Sequence, residues 1–431
     1  MKRERFIGLS IIVLIVFEIL ISGCTMRENS GKGKLVLNYW DTMPPMDKVG
    51  IAIRELIKEY NEKHTNVMIK TTYIDWSKFN DKLMTAIVGD APPDVVLLDR
   101  FVTASYAARK ALIPLDKFIK KDKIKSSEFF KACWDECVYK GKVWSIPYHT
   151  DVRALYYRVE DFQRAGIDPN RPPRTWKELE EYAKKLTKRD KNGTLKRIGF
   201  IPQWGNTSMY MWGWLNGGKF MEGDKVTCDE PRIVEALEWV VKFNDWYGRR
   251  AVEGAAQSYG QREMDPFITG QLSMKIDGDW YVGVLKQYGP KVKFRVAAPP
   301  APKGKKSITW SGGFAFAIPR GTKYEKEVWE FIKYMISYES QLKYAKTAYR
   351  IPALKKAAHD KFFTEDPYYK VFVKLMDVTK FRPVTPVANY YWEQLEKAME
   401  YAILHQKDAK TALKDAAENT QKYLDEYLSG K

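Results

Sequence analysis

The sequence predicts an α/β protein built of two domains, on the basis of three observations. Short apolar runs alternate with amphipathic stretches along most of the chain, as strands and helices do in this fold class. The 431 residues exceed what one hydrophobic core usually serves. Hydrophobic residues make up 45% of the chain without any low-complexity block, which is typical of ordinary globular proteins.

The N-terminus has the pattern of a signal peptide over residues 1–23. Three basic residues precede an apolar run at 6–21, and small residues follow it before Cys24. The closing Ile-Ser-Gly-Cys is similar to a bacterial lipobox, which makes Cys24 the predicted lipidated residue; an uncleaved anchor is the alternative. Residues 24–34 then form a flexible lipid-anchored tether, so we expect an extracytoplasmic protein held at the cell membrane, in a periplasm or at a cell surface.

The first quarter of the mature chain alternates strand and helix regularly. The predicted strands lie at 34–40, 67–73 and 94–98, and the predicted helices at 46–64, 76–88 and 103–108. Gly89 suits the position just after a helix end, and two prolines beyond it prevent the helix from continuing. The run at 94–98 is apolar, as a buried parallel strand is.

The rest of the chain continues this alternation around a proline-rich linker at 299–304. Thr175 and Glu178 have the spacing of a capping box and open a long helix. Further strands are predicted at 154–157, 273–276, 292–298 and 315–318, with helices at 230–247 and 264–269, and after 318 with breaks at Pro352, Pro383 and Pro386.

Composition argues against several functional classes. The formal charge is +18, but the lysines are spread over helix faces without a basic run interleaved with aromatic residues, so we expect no nucleic-acid partner. Attraction to anionic lipid or cell wall is the alternative to a merely solvated basic surface. No phosphate loop or strand-borne dinucleotide fingerprint is present, and the four histidines are scattered, so neither a cofactor nor a metal is expected.

Cysteine usage is thin beyond Cys24, and too sparse for a disulfide framework. Cys133 and Cys137 are four residues apart, on one face of a predicted helix. A local disulfide is one interpretation of this pair. Two buried free thiols are the interpretation that we favour, and Cys228 has no obvious partner.

Candidate binding residues follow the predicted strands, because ligands of open parallel sheets bind beyond the carboxyl ends of the strands. Each place offers an aromatic face, a charged hydrogen-bonding group, or both. Sugars use this combination, since their C–H faces lie on aromatic rings and their hydroxyls bond to charged groups. The candidates are Trp40, Asp41, Asp99, Arg100, Tyr148, His149, Asp151, Asp277, Asp279 and Trp280.

The fourteen tryptophans divide by their setting. Four of them have helical spacing and are predicted to pack in the core: Trp176, Trp239, Trp246 and Trp329. Trp280 ends a strand beside a glycine and two acids and is predicted to stack on ligand, whereas Trp204 and Trp212 stay open between the two roles. We expect Gly278 to let the chain turn so that the indole lies flat, and only one of Asp277 and Asp279 to touch ligand.

Several longer motifs resemble those of the family 1 extracellular solute-binding proteins, the maltose-binding-protein kind of receptor for ABC importers. The likeness spans residues 35–425, and none of the motifs is catalytic. They are DKLMTAIVGDAPPDVVLLD (81–99), LIPLDKFI (112–119), GKVWSIPYHTDVRALYYR (141–158), RTWKELEEYAKKLT (174–187), FITGQLSMKIDGDW (267–280) and WEFIKYMISYESQ (329–341).

This resemblance implies a periplasmic-binding-protein fold of two lobes, each a mixed sheet flanked by helices, with a ligand cleft between them. The first lobe is expected to comprise 35–149 plus 311–374, and the second 150–310 plus 375–431. Hinge segments are expected near Thr150, in 300–310 and in 375–381. A monomer without enzymatic activity is implied.

The resemblance also carries residue roles. Trp280 matches a sugar-stacking tryptophan, Asp99 and Arg100 a hydrogen-bonding pair, Asp151 an acidic cleft residue, and Trp392 a third aromatic. The segment 204–214 matches a segment that contacts ligand, but the resemblance does not fix which of its residues make the contact. The full predicted ligand-binding set is Trp40, Asp41, Asp99, Arg100, His149, Asp151, Trp204, Asp279, Trp280, Arg350 and Trp392.

The expected function is therefore that of a substrate-binding lipoprotein that takes a sugar, most simply an oligosaccharide, to the transmembrane subunits of an ABC permease. Arg100, Arg153 and Arg350 leave a phosphorylated polyol or an acidic sugar as the alternative ligand. A secreted carbohydrate-active enzyme is a further alternative. It would need Asp277 and Asp279 to stand at one of the carboxyl separations that glycosidases use.

Overall fold

The computed structural model describes residues 34–257 and 262–430. The predicted signal peptide, Cys24 and the tether up to residue 33 lie outside the described residues. Within the described ranges, none of the helices combines the length and the apolar character needed to cross a membrane.

The chain folds into alternating strands and helices, which confirms the predicted α/β class. The strands are β1 (Leu35–Asp41), β2 (Val67–Tyr73), β3 (Val95–Asp99), β4 (Val138–Tyr139), β5 (Lys142–Val143), β6 (Ile146–Pro147), β7 (His149–Arg158), β8 (Lys188–Arg189), β9 (Leu195–Arg197), β10 (Met221–Glu222), β11 (Lys225–Val226), β12 (Met274–Gly278), β13 (Phe294–Ala297), β14 (Thr309–Gly312), β15 (Phe314–Ala317), β16 (Ile351–Pro352) and β17 (Thr379–Lys380). The helices of the first half are α1 (Lys48–Lys63), α2 (Trp76–Val88), α3 (Thr103–Ala108), α4 (Asp116–Lys121), α5 (Lys131–Asp135), α6 (Val159–Arg164), α7 (Trp176–Leu186) and α8 (Met209–Leu215). Those of the second half are α9 (Pro231–Tyr247), α10 (Arg249–Gln257), α11 (Pro266–Thr269), α12 (Trp280–Tyr288), α13 (Glu325–Ile336), α14 (Tyr338–Ala348), α15 (Lys355–Ala358), α16 (Lys361–Thr364), α17 (Tyr369–Leu375), α18 (Ala388–Ile403) and α19 (Ala409–Leu428).

The first lobe is built on a five-stranded sheet in the order β2-β1-β3-β15-β6. Its first three strands are parallel, and β15 returns antiparallel to β3. The carboxyl ends of β1, β2 and β3 therefore meet at one edge. In the β1–β2 register, Asp41 is opposite Tyr73, so the loops that follow these two strands lie side by side.

The second sheet centres on the ten-residue strand β7, which pairs with β12, β13, β14 and β16. The first residues of β7 pair with β16, and Asp151 and Val152 pair with β14. Strand β14 also pairs with β17. Parts of the three segments predicted as hinges therefore belong to one sheet: Thr150 in β7, residues 309–310 in β14 and residues 379–380 in β17.

Two large apolar clusters fill the protein. One surrounds the first sheet and continues into Tyr156, Tyr281 and Phe294. The other lies between the second sheet and helices α7, α8, α9, α18 and α19. Six tryptophans are buried in these clusters: Trp212 and Trp329 are almost fully enclosed, and Trp176, Trp214, Trp239 and Trp310 are at most 8% exposed.

Two expectations about side-chain packing can be checked directly. Cys133, Cys137 and Cys228 are buried free thiols, as favoured from the sequence. The prediction that Trp246 belongs to the core is wrong. Its side chain is 40% exposed, because Trp246 lies at the end of α9 against Tyr247, with Lys184 on the ring at 5.6 Å.

Helix ends follow local chemistry in one case and depart from it in another. The capping box of Thr175 and Glu178 forms as predicted at the start of α7. Gly89 does end α2, but its φ is −81°, and the left-handed residue is instead Asp90, with φ 53°. A short polar side chain tolerates this conformation better than most.

Gly278 ends β12 two residues before α12 begins, and its lack of a side chain makes room for the ring of Trp280. The backbone there is not left-handed, so the expected turn by glycine is not the reason for its presence. The Trp280 ring lies across Gly278: a Cβ at this position would stand 1.8 Å from Trp280 Cζ3. The indole orientation thus depends on the missing side chain.

We expect Gly278→Ala to destabilise the protein by about 1–3 kcal/mol, because the added methyl group forces the Trp280 ring to move. Denaturant unfolding measures this free energy. Gly254→Ala is the matched control: Gly254 lies in α10 with nothing within 4 Å of its Cβ position, so alanine there stabilises by about 0.5–1 kcal/mol. Wild-type stability in Gly278→Ala would show that the indole is free to shift.

Candidate functional site

A cavity of about 790 Å³ lies between the two lobes. On the first lobe its wall is formed at the carboxyl ends of β1, β2 and β3, where ligands of parallel sheets bind. On the second lobe the wall is formed by Arg153 of β7, the loop after Trp204, Trp310 of β14 and the start of α18. The cavity has the size of a pocket for a small organic ligand.

The first-lobe wall presents exposed aromatic surface. Trp76, the first residue of α2, is 55% exposed, and its ring lies 5.9 Å from that of Phe314 in an edge-on arrangement. Phe101 follows β3 and lines the same cavity. An exposed indole held at a cavity wall is a surface on which a ligand can stack.

The second-lobe wall is a belt of rings and guanidinium groups. The Arg153 guanidinium lies 3.5 Å from the centre of the Trp310 ring. Trp392 of α18 lies 5.9 Å from Trp310 and 6.2 Å from Phe101 of the other lobe. Arg382 covers Phe101 at 4.2 Å. Each of these rings and guanidinium groups is therefore held in position by contact with a neighbouring one.

Both arginines in this belt are already paired. Arg153 forms an ion pair with Asp151 and donates from Nε to Asn206 Oδ1 (2.8 Å). Arg382 donates to Asp99 Oδ1 (2.8 Å) and to Glu136 (3.2 Å). Burial and these carboxylates leave the belt polar with little net charge.

Three buried polar atoms belong to residues that line the cavity. Thr42 Oγ1, Ser105 Oγ and Trp310 Nε1 have no hydrogen-bond partner among the described residues. Each of these atoms is enclosed, so none forms part of the open cavity surface in this conformation.

The structure places two of the predicted residues, Asp99 and Trp392, in the cavity wall. Trp280 and Arg350 lie one layer behind it. The Trp280 ring is half-buried between the guanidinium groups of Arg153 at 5.2 Å and Arg350 at 4.6 Å. In this conformation Trp280 therefore supports Arg153.

Arg100 has a structural position instead of the predicted one in the cavity wall. It is fully buried and donates to Glu136 (3.2 Å), to the His149 carbonyl oxygen (2.7 Å) and to Ser311 Oγ (3.0 Å). It also donates to the Gly312 carbonyl oxygen. These four bonds engage four of its five N–H donors and link the end of β3 to Glu136, β7 and β14 inside the protein.

Four further predicted residues also lie outside the cavity wall. Asp41 is fully buried, accepts from the Met43 amide (3.0 Å) and pairs with Arg54 (3.3 Å). Trp40 is half-buried against the cluster formed by α2 and β3. His149 is buried against Tyr344, and Trp204 packs against the second core. The segment that begins at Trp204 contributes Asn206 and Thr207 to the wall.

The predicted acids Asp151 and Asp279 lie behind the wall with opposite electrostatics. Burial opposes the charge of Asp151, but Arg153 and Arg350 outweigh it and hold its pKa below the usual value. Burial raises the pKa of Asp279 to about 7, although Arg350 opposes the rise. Asp279 Oδ2 accepts from the Ile351 amide (3.1 Å), while Oδ1 has no partner among the described residues.

Sequence reasoning missed Trp76, Phe101, Trp310 and Arg382. Trp76 and Phe101 were within reach of it, since both follow a correctly predicted strand by no more than three residues. Trp310 had no such signal, because β14 is a four-residue strand with no alternating pattern. Arg382 lies just after the short strand β17 and reaches the cavity wall through packing between distant parts of the chain.

Comparison with known proteins gives one family. The pattern of the family described as "Bacterial extracellular solute-binding protein" matches residues 55–371. The maltooligosaccharide ABC transporter solute-binding lipoprotein of Streptococcus pneumoniae serotype 4 is 27% identical over 379 residues, 84% of each chain. The arabinooligosaccharide-binding protein of Bacillus subtilis strain 168 is 24% identical over 336 residues, 75% of this chain and 74% of its own.

Solved structures agree with this. The structures of CpMnBP1 with mannobiose and with mannotriose bound each superimpose with a TM-score of 0.82 at 29% identity, covering 90% of this chain and all of theirs. The predicted two-lobed fold is thereby confirmed.

Asp279 makes stability depend on pH. A folded-state pKa above the ordinary value means that its stabilising contribution is present at low pH and is lost as pH rises towards about 7. We expect the melting temperature of Asp279→Asn, relative to the wild type, to increase from about pH 4.5 to about pH 7.5, because asparagine stays neutral. Differential scanning calorimetry measures this, with Asp90→Asn at an exposed position as control. A constant or falling difference would contradict a buried neutral acid.

Proposed function

Because the chain belongs to the bacterial extracellular solute-binding proteins, we propose that it is the receptor of an ABC importer for an oligosaccharide. It binds this ligand in the interlobe cavity and delivers it to the transmembrane subunits of the permease. The observation that carries the proposal is the cavity wall, in which the exposed ring of Trp76 and the half-buried ring of Trp392 lie beside paired charged groups. Sugar recognition needs this mixture of stacking faces and hydrogen-bonding groups.

The charges of the cavity support a neutral sugar over an acidic or phosphorylated one. Three acidic residues (Asp81, Asp99 and Glu393) and three basic ones (Arg109, Arg153 and Arg382) line it. Arg153 and Arg382 are already bonded to carboxylates. A bound phosphate or uronate would have to compete with these partners. The relatives named for maltooligosaccharide and arabinooligosaccharide support the same ligand class.

Binding without chemical conversion is supported by the state of the acid pair. Asp277 pairs with Lys275 at 2.9 Å, and Asp279 accepts from the Ile351 amide. Both are buried outside the cavity wall, where neither reaches a sugar in this conformation. A glycosidase requires two carboxyl groups on opposite sides of the bond that it cleaves.

Ligand binding drives closure in this proposal. The lobes comprise 35–149 plus 311–374 and 150–310 plus 375–431, and they rotate about β7, β14 and β17. A ligand that contacts both walls binds the closed form better than the open one and so shifts the population towards it. Lipid attached to Cys24 would hold the protein at the outer face of the cell membrane, close to its permease. The protein acts as a monomer without cofactor or metal.

A thermal-shift panel of neutral mono- and oligosaccharides, with glucuronate and a hexose phosphate included, tests the ligand class. We expect at least one neutral oligosaccharide to raise the melting temperature by several degrees, because a ligand that binds only the folded state stabilises it. No shift with any neutral sugar would sink the proposal, and a shift with the charged sugars alone would favour the alternative.

Trp76 is expected to be a main stacking platform. Trp76→Ala should weaken the binding of the sugar found in that panel by about tenfold, with the stability of the ligand-free protein changed by less than about 0.5 kcal/mol. Isothermal titration calorimetry measures the affinity. Trp246→Ala removes another exposed indole outside the cavity and should leave binding unchanged. Equal affinities in both variants would remove Trp76 from the site.

A further inference from the structure

The cavity has two ends of different character. At the inner end, Arg153, Trp310 and Arg382 are each 4% exposed. At the outer end the wall is formed by exposed or half-buried residues, with Asn80, Asp81 and Arg109 on the first lobe and Tyr390, Glu393 and Tyr423 on the second. The cavity thus runs from a closed interior to solvent, and its outer end is formed by the helices of both lobes.

An aromatic pair forms one side of the outer end. The rings of Tyr390 on α18 and Tyr423 on α19 have their centres 4.6 Å apart and an interplanar angle of 48°. Their helices pack along each other, so this pair is fixed on regular structure. Tyr423 is still 37% exposed, which leaves ring surface open at the mouth of the cavity.

The charged side chains at the outer end of the cavity are uncommitted, in the sense that they have no hydrogen-bond or ion-pair partner among the described residues. Within 34–257 and 262–430, no hydrogen bond or ion pair engages the side chains of Asp81, Arg109 or Glu393. At the inner end, by contrast, Arg153 and Arg382 are both bonded to carboxylates. Uncommitted charged groups beside an open aromatic pair match what a sugar unit requires.

We propose that the outer end is a chain-length subsite: it binds sugar units beyond those held at the inner end, so that the protein prefers oligosaccharides of three or more units to disaccharides. This rests on the proposed function. Tyr390 and Tyr423 supply the stacking surface. Arg109 and Glu393 approach the same units from opposite lobes, so a longer ligand adds contacts that exist only when the lobes come together.

The size of the cavity agrees with this. Its volume of about 790 Å³ lies in the upper part of the range of about 300–1,000 Å³ found for small-molecule pockets. A short ligand at the inner end leaves the tyrosine pair and the three uncommitted charges without contacts. A longer ligand contacts these groups as well, so its affinity increases with its length.

Isothermal titration calorimetry of the purified protein with manno- and malto-oligosaccharides of two, three and four units tests the subsite. We expect affinity in the series that binds to rise by about tenfold or more from two units to four. The double variant Tyr390→Ala with Tyr423→Ala should lose that gain and keep its affinity for the disaccharide within about twofold. Tyr401→Ala, which removes a tyrosine that is also 37% exposed and lies on α18 outside the cavity, is the control.

Each outcome decides between the two proposals. Equal affinities for two and four units, or a double variant that loses affinity for both equally, overturns the subsite and leaves the sugar receptor intact. No binding of any member of either series overturns the subsite as stated, while the function stands or falls with the broader panel. If the tyrosine double variant does not fold, Arg109→Ala with Glu393→Ala takes its place, since both side chains are exposed and unpaired. It should lower the gain with length without altering the melting temperature.

Discussion

A buried network of carboxylates and guanidinium groups around Glu136 joins distant segments of the chain. Glu136 is 2% exposed and is bonded by two guanidinium groups, those of Arg100 and Arg382. Arg100 reaches from β3 to the carbonyl oxygens of β7 and β14, and Arg382 lies just after β17. Strands β7 and β14 are therefore linked to Glu136 through Arg100, and the segment that follows β17 is linked to it through Arg382. Buried ion pairs contribute little net stability but are strongly specific in geometry, which is what a joint requires.

This network also shapes the cavity. Once Arg382 is fixed by Glu136 and Asp99, its planar face lies on Phe101 and beside Trp310. Trp310 in turn receives Arg153, whose other side faces Trp280. The inner end of the cavity is thus continuous with this network, so a ligand that touches it would contact groups bonded to β7 and β14.

The sequence was informative about the fold because its strands and helices have clear periodicity and clear ends. Strand β2 and helices α2 and α3 lie where the pattern put them. For the site, the rule that ligands bind after parallel strands located the cavity but not which side chains face it. Asp41 ends β1 and Arg100 directly follows β3, yet both side chains are bonded to other groups of the protein. Trp310 and Arg382 come from short segments whose position depends on packing between distant parts of the chain, and no local pattern encodes that.

The balance of charge in the cavity has a consequence for transport itself. A neutral ligand in a cavity whose inner charges cancel internally enters and leaves without moving counterions. The free energy of capture then depends little on the salt content of the surroundings, since screening acts on net fields and weakly on enclosed pairs. A receptor of this kind can work in media of widely different ionic strength.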